Sequence, residues 1–77
     1  MAEKRIVLSR HARDQMRRRS ISWADIRAAL AHREITLPYP GGGTRVKSSA
    51  GSKPIMVGIR EFPDRIVVIT VMNWEKQ

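Results

Sequence analysis

Two neighbouring apolar segments near the C-terminus place the strongest constraint on the fold. Residues 55–62 and 66–73 are rich in β-branched side chains, which favour strands. The four residues 62–65 join them, with Pro63 second, and proline presets the backbone angle for that position of a tight turn. The sequence therefore predicts a β-hairpin.

The second strand of this hairpin is apolar on both faces, which is typical of a central strand covered on both sides. Residues 66–72 contain no charged side chain. Two helices of a 77-residue chain can cover only one face of a sheet. The other face then needs the segment around Trp74, a second copy of the chain or a bound partner, so we expect a homodimer or a complex.

The N-terminal half predicts one short strand and two helices. Residues 5–8 are apolar enough for a strand, and good helix formers run from Ser9 or Arg10 to Arg19. Ser22 and Asp25 have the spacing of a capping box, which predicts a second helix to about His32. The spacing of Trp23, Ile26 and Leu30 predicts that they form its buried stripe.

Between the second helix and the hairpin, the pattern indicates two further strands. Residues 34–37 form one candidate and residues 44–48 the other, separated by prolines and the flexible connector Gly41–Gly43. The predicted order is β-α-α-β-β-β-β. We therefore expect an α+β fold in one domain spanning residues 1–77, with two N-terminal helices packed on one face of a mainly antiparallel four- or five-stranded sheet.

Strand alternation assigns the side chains to two faces of this sheet. The expected helix side contains Val46, Ile55, Val57, Ile59, Val67, Ile69 and Val71. The opposite face then contains Arg45, Lys47, Arg60 and Thr70. Three cations on one sheet face suit a groove that holds phosphate.

Charge points to an anionic partner. The formal net charge is +8, and 11 of the 15 basic residues are arginine, whose planar fork suits phosphate and carboxylate. Nucleic acid is the simplest partner, and an acidic protein or anionic lipid is the alternative. A further alternative is that the basic surface has no specific partner and only keeps the protein in solution.

Composition also excludes several classes of site. The chain has no cysteine, which rules out disulfides, thiolate catalysis and iron–sulfur clusters. Its two histidines are far apart in sequence, so we expect no metal site and no cofactor. No apolar run approaches the roughly 18 residues of a spanning helix, and we expect a cytoplasmic protein without membrane contact.

The first helix contains the residues best suited to chemistry. His11 is a candidate acid or base because its ordinary pKa lies near neutrality, although a structural role at the strand–helix junction is the alternative. Arg45, Lys47 and Arg60 complete the candidate catalytic set, since RNA cleavage without a metal needs proton transfer and cations around phosphorus. The candidate nucleic-acid contacts are Arg10, Arg13, Arg17, Arg18 and Arg19.

Two segments resemble a known family. The segments are Ser9-x-His11-Ala12-x-x-x-Met16-x-x-Arg19-x-Ile21 and the strand Asp64–Val71. They resemble the small proteins of domain-of-unknown-function family 4258, which is similar in layout to RelE/ParE-like toxins and, more distantly, to compact metal-independent ribonucleases. The resemblance implies a toxin-like RNase fold, with His11 and Arg19 as motif residues. It also implies that Arg45, Lys47 and Arg60 lie where RelE-like toxins keep catalytic cations.

Two functions follow as expectations. The first is a RelE-like toxin that binds RNA rather than DNA, acts as an endoribonuclease by acid–base chemistry and is held by an antitoxin. The second is a non-catalytic basic module that binds nucleic acid or an acidic partner protein.

Overall fold

The computed structural model describes residues 4–75. Two helices and five strands follow one another along the chain in the predicted order, β-α-α-β-β-β-β. The elements are β1 (Arg5–Leu8), α1 (Arg10–Arg19), α2 (Trp23–Ala31), β2 (Ile35–Pro38), β3 (Thr44–Ser48), β4 (Ile55–Glu61) and β5 (Arg65–Asn73). The strands form one sheet in the order β1-β5-β4-β3-β2. β1 is parallel to β5 and the other neighbours are antiparallel, so the predicted α+β fold is confirmed.

Serine residues fix the start and the end of α1. The Ser9 hydroxyl accepts a hydrogen bond from the Ala12 N–H at 3.0 Å and donates one to the Ile69 carbonyl. Ser9 therefore caps the helix and also ties it to β5. At the other end Ser20 adopts a left-handed conformation with φ of 54°, which ends the helix.

The predicted capping box of α2 is confirmed, but its predicted buried stripe is wrong at one position. Ser22 accepts from the Asp25 N–H, and the Asp25 carboxylate accepts from the Ser22 N–H. Ile26 is fully buried and Leu30 packs against the core, whereas the Trp23 side chain is 41% exposed. Trp23 is the first residue of α2, where it borders a surface groove instead of the sheet.

The predicted hairpin is confirmed, and a bulge changes which residues of β5 face the helices. The Phe62 N–H donates to the Arg65 carbonyl at 2.8 Å to close the turn. Gly58 pairs with Thr70, but the next residue, Ile59, pairs with Val68. One residue of β5 is left over, and an unpaired residue of this kind reverses the alternation of side chains.

The bulge explains two errors in the predicted core. Val67 and Ile69 were expected on the helix side, whereas Ile66 and Val68 occupy it before the bulge and Val71 occupies it afterwards. The remaining predicted core positions of the sheet, Val46, Ile55, Val57 and Ile59, are confirmed as buried. A prediction that assumes strict alternation of side chains along a strand cannot include a β-bulge.

Both helices lie on one side of the sheet, α1 against β5 and α2 against β3 and β4. We call the other side the open face; its central positions are Arg45, Lys47, Met56, Gly58, Arg60, Thr70 and Met72. Met56 and Thr70 are nevertheless only 8% and 7% exposed. The chain therefore covers part of its own open face, while Met72 stays exposed. Within residues 4–75, neither helix is long and apolar enough to span a membrane.

Candidate nucleic-acid interface

The structure brings three of the predicted site residues to the open face. On β3, Val46 pairs with Val57 and is fully buried under the helices. Because neighbouring side chains of a strand point to opposite faces, Arg45 and Lys47 lie on the open face. Arg60 follows the helix-facing Ile59 on the adjacent strand β4 and lies on the same face. The alternation predicted for these three cations is confirmed.

An aromatic ring lies among these cations. Gly58 is the partner of Arg45 across the strands, and a Cβ atom at Gly58 would stand 2.8 Å from both the Tyr39 ring and the Thr70 methyl group. The ring therefore occupies the space that a side chain at position 58 would fill. Tyr39 remains half-buried, so it forms part of the surface between Arg45 and Thr70.

The segment 39–43, which we call the Tyr39 loop, is held in place by a short backbone network. The Tyr39 N–H donates to the Gly43 carbonyl at 3.1 Å and the Gly42 N–H donates to the Tyr39 carbonyl at 3.0 Å. Gly43 has a φ of 98°, and a Cβ there would meet the Ile59 carbonyl oxygen at 2.5 Å. Only glycine fits this position, because other residues rarely adopt such a φ. The segment predicted as a flexible connector thus has a defined conformation.

Two of the open-face arginines donate hydrogen bonds to backbone carbonyls in this loop or directly before it. The Arg45 Nε donates to the Pro38 carbonyl at 3.2 Å, and Arg60 donates to the Gly41 carbonyl at 3.3 Å. A guanidinium has five N–H donors, so each arginine keeps donors for another acceptor. These contacts hold both guanidinium groups near the Tyr39 loop without neutralising them.

The carboxylates that form ion pairs lie elsewhere. Within residues 4–75, Glu61 binds Arg33 at 2.6 Å and Lys4 at 3.3 Å, and Asp64 binds Arg65 at 3.1 Å. The hydrogen bond from Arg33, together with the nearby positive charges, lowers the pKa of Glu61 in spite of its partial burial. Among the described residues, the three open-face cations therefore have no carboxylate partner.

Trp74 adds a second aromatic ring beside Lys47. The Lys47 ammonium group lies 5.9 Å from the centre of the Trp74 ring, within the range of a cation–π contact. The backbone N–H of Trp74 donates to the Pro54 carbonyl at 3.2 Å, which fixes the chain as it leaves β5. Trp74 is half-buried, so the segment around it covers part of the open face, one of the three possibilities expected from the sequence.

His11 lies in a different place from the other candidate catalytic residues. It is exposed in the first turn of α1, next to Ala12, which is buried in the core. Since α1 packs on the helix side of the sheet, His11 lies across the sheet from Arg45 and Lys47. The structure therefore does not bring His11 into one site with the open-face cations, because the buried contacts of α1 determine where it sits.

The arginines of α1 are also on the helix side. All five of the predicted nucleic-acid contacts, Arg10, Arg13, Arg17, Arg18 and Arg19, are exposed. The Arg19 Nε donates to Gln15 at 2.7 Å. Arg13 and Arg17 border a groove beside β1 together with Arg5. Their role in binding nucleic acid stays a prediction.

One feature of the site was missed in the sequence. Tyr39 was not recognised, although glycine inside an otherwise β-branched strand indicates that another group approaches the backbone closely. Gly58 was that signal. Within residues 4–75, no three histidine or acidic side chains are grouped so that they could hold a metal ion.

These observations define a small α+β protein with two helices on one side of a five-stranded sheet and cations around an aromatic ring on the other. Residues 8–73 match the family described as domain of unknown function (DUF4258). The chain belongs to this family. No curated protein and no solved structure shows a significant match.

Proposed function

We propose that the open face binds single-stranded RNA. The observation that carries this proposal is that Arg45, Lys47 and Arg60 share the open face and lack a carboxylate partner among residues 4–75. Unpaired cations on one surface attract a phosphate backbone and release its counterions on binding. Eleven arginines in the chain favour phosphate as the anion.

The aromatic rings favour a single strand over a duplex. Single-stranded nucleic acid is bound by proteins that combine a cationic surface with rings on which bases stack. Tyr39 and Trp74 are both half-buried and lie beside open-face cations. A duplex keeps its bases stacked inside, so it cannot use these rings. The arginines of α1 add to the positive potential that draws RNA to the protein.

Cleavage of the bound RNA, as in toxins of the RelE type, is the second candidate function. The observation that favours it is the convergence of Arg45, Lys47 and Arg60 on adjacent strands, because cations around phosphorus stabilise the transition state. His11 lies across the sheet, so Lys47 is the open-face residue that would transfer protons. An endoribonuclease of this kind would act in the cytoplasm and be restrained by an antitoxin.

Binding is tested by fluorescence anisotropy with a labelled short RNA. Arg45→Ala and Lys47→Ala are each expected to weaken binding about tenfold, as expected for loss of a charge-assisted hydrogen bond. Arg27→Ala is the matched control, because Arg27 is an exposed arginine on α2, on the helix side. Equal losses in all three variants, or no binding at low salt, would refute the proposal.

Cleavage is tested on the same RNA by gel electrophoresis and by expression in a growth assay. If the open face cleaves RNA, Lys47→Ala abolishes the products and His11→Ala leaves them unchanged. Intact RNA with wild-type protein, with and without ribosomes, would leave binding as the function. A DNA strand of the same sequence tests the expected preference for RNA.

The homodimer is also a proposal. Met72 and Ile35 remain 38% and 39% exposed on the open face, near Lys47, so a second copy of the chain would cover part of the surface proposed to bind RNA and would compete with RNA for it. Light scattering is expected to give twice the mass of the chain, and a monomer at all concentrations would contradict the expectation.

A further inference from the structure

A surface groove runs along the free edge of β1, at the opposite end of the sheet from β3, which contains Arg45 and Lys47 of the RNA site proposed above. It has a volume of about 930 Å³ and lies between β1, α1 and the start of α2. Its apolar lining includes Val7, Met16 and Trp23. Val7 and Trp23 are 36% and 41% exposed. We call this feature the β1 groove.

One border of the β1 groove is a strand with an unused edge. β1 is the first strand in the sheet order, and among the described strands only β5 pairs with it. About half of the backbone N–H and C=O groups of such a strand point away from its neighbour. The groove therefore offers hydrogen-bonding groups that an added strand can use.

The charged residues of the β1 groove are all of one sign. Arg5 on β1 and Arg13 and Arg17 on α1 line it, and none of its lining residues within residues 4–75 is acidic. Three arginines around an apolar groove attract a ligand that combines carboxylates with apolar side chains. The spacing of Arg13 and Arg17, one helical turn apart, places both on the same face of α1.

We propose that the β1 groove binds an acidic, extended segment of a partner protein, which adds a strand to β1. Backbone groups of the segment pair with the free edge of β1. Its alternate apolar side chains contact Met16 and Trp23, and its carboxylates reach Arg13 and Arg17. RNA fits these features less well because it has no peptide groups with which to continue a sheet.

The probe for the test is a short labelled peptide that alternates valine and glutamate, compared with one that alternates valine and lysine. Only the acidic peptide is expected to bind. Arg13→Glu and Arg17→Glu are each expected to weaken its binding about tenfold, because a charge-assisted contact is lost. Arg27→Glu makes the same charge change outside the groove, and it is expected to alter binding less than twofold. Equal losses in all three variants would overturn the proposal.

Two further measurements locate the peptide and test strand addition. The indole N–H resonance of Trp23 is expected to shift with the acidic peptide while that of Trp74 does not. Two further peptides test the backbone pairing, one N-methylated at its odd positions and the other at its even positions. Only one of these sets of N–H groups faces β1, so one of the two peptides is expected to lose binding. An unmoved Trp23 resonance, or full binding by both methylated peptides, would overturn the proposal.

The test separates this groove from the proposed RNA site. Trp23→Ala is expected to weaken binding of the acidic peptide and to leave RNA binding unchanged, whereas Lys47→Ala is expected to leave peptide binding unchanged. A Trp23 resonance that shifts with RNA but not with the peptide would assign the groove to nucleic acid and refute the peptide proposal.

Discussion

Asp25 is the residue whose removal gives the most quantitative test of the structure. Its side chain is 3% exposed, and it joins α2 to the loop between β3 and β4. One carboxylate oxygen accepts hydrogen bonds from the Ser52 N–H at 2.8 Å and the Ser52 hydroxyl at 2.7 Å. The other accepts from the Ser22 N–H at 3.0 Å. Three donors therefore stabilise one buried negative charge.

These contacts determine how protonation of Asp25 affects stability. Burial by itself raises the pKa of Asp25, but the hydrogen bonds from Ser52 and Ser22 outweigh it and lower the pKa from 3.8 to about 2. A lower pKa in the folded state means that the carboxylate stabilises the fold above the unfolded pKa and that this contribution disappears as pH falls through the folded pKa. At about 1.4 kcal/mol for each tenfold change in proton affinity, the contribution is about 2–3 kcal/mol at pH 7.

The perturbation is Asp25→Asn, and the assay is urea unfolding from pH 7 to pH 2, followed by tryptophan fluorescence. Asparagine keeps the shape of the side chain but loses its charge. Its NH₂ group must also face an N–H or O–H donor of Ser22 or Ser52, with which it cannot form a hydrogen bond as a donor. We expect the variant to be about 2–3 kcal/mol less stable than wild type at pH 7. We expect the difference to shrink by about 2 kcal/mol between pH 5 and pH 2, because wild type loses its carboxylate contribution there.

The control for this prediction is Asp14→Asn, which removes an exposed carboxylate from α1. Glu61 also contributes to acid sensitivity because its pKa is lowered, and comparison with wild type at each pH cancels that contribution. A difference between wild type and Asp25→Asn that stays constant from pH 7 to pH 2 would refute the reasoning. It would mean that the hydrogen bonds stabilise the side chain without favouring its charge.

Three further predictions concern the open face. Gly58→Val should displace the Tyr39 ring, because even a Cβ would stand 2.8 Å from it; we expect a loss of about 1–3 kcal/mol in urea unfolding together with weaker RNA binding. Gly43→Ala should lower stability by at least about 1 kcal/mol by thermal unfolding, since φ is 98° and the added Cβ meets a carbonyl. In titrations over a range of salt concentrations, Arg60→Ala should reduce the slope of log affinity against log salt by about 0.7, the value for one phosphate contact on a single strand.

The elements of the fold could be predicted because each has a local signal. Ser22 and Asp25 mark the start of α2, and Pro63 marks the turn between the last two strands. The strand pattern also assigned Arg45, Lys47 and Arg60 to one face. These features depend on residues close together in sequence, so no knowledge of the packing was needed.

The errors arose where packing between distant segments decides the outcome. The bulge leaves Ile69 unpaired with β4, so Ile66 and Val68 occupy the helix side where Val67 and Ile69 were expected. The spacing of Trp23 from Ile26 and Leu30 predicted that it would be buried. It is instead the first residue of α2, where the helix does not lie over the sheet. His11 was grouped with the sheet cations by its chemistry, but the buried contacts of Ala12 hold α1 on the other side.

The arrangement of the sheet gives the two proposed sites different positions. β1 and β3 are separated by β5 and β4, and neighbouring strands lie about 4.8 Å apart, so about 14 Å separates the β1 edge from Arg45. The groove lies along the β1 edge, so a short peptide added to β1 does not reach Arg45 and Lys47 on β3. We therefore expect RNA and the acidic peptide to bind at the same time. The affinity of each ligand should change less than twofold when the other ligand is already bound. Mutual exclusion by the short peptide would mean that both ligands use one surface and that the sheet does not separate them.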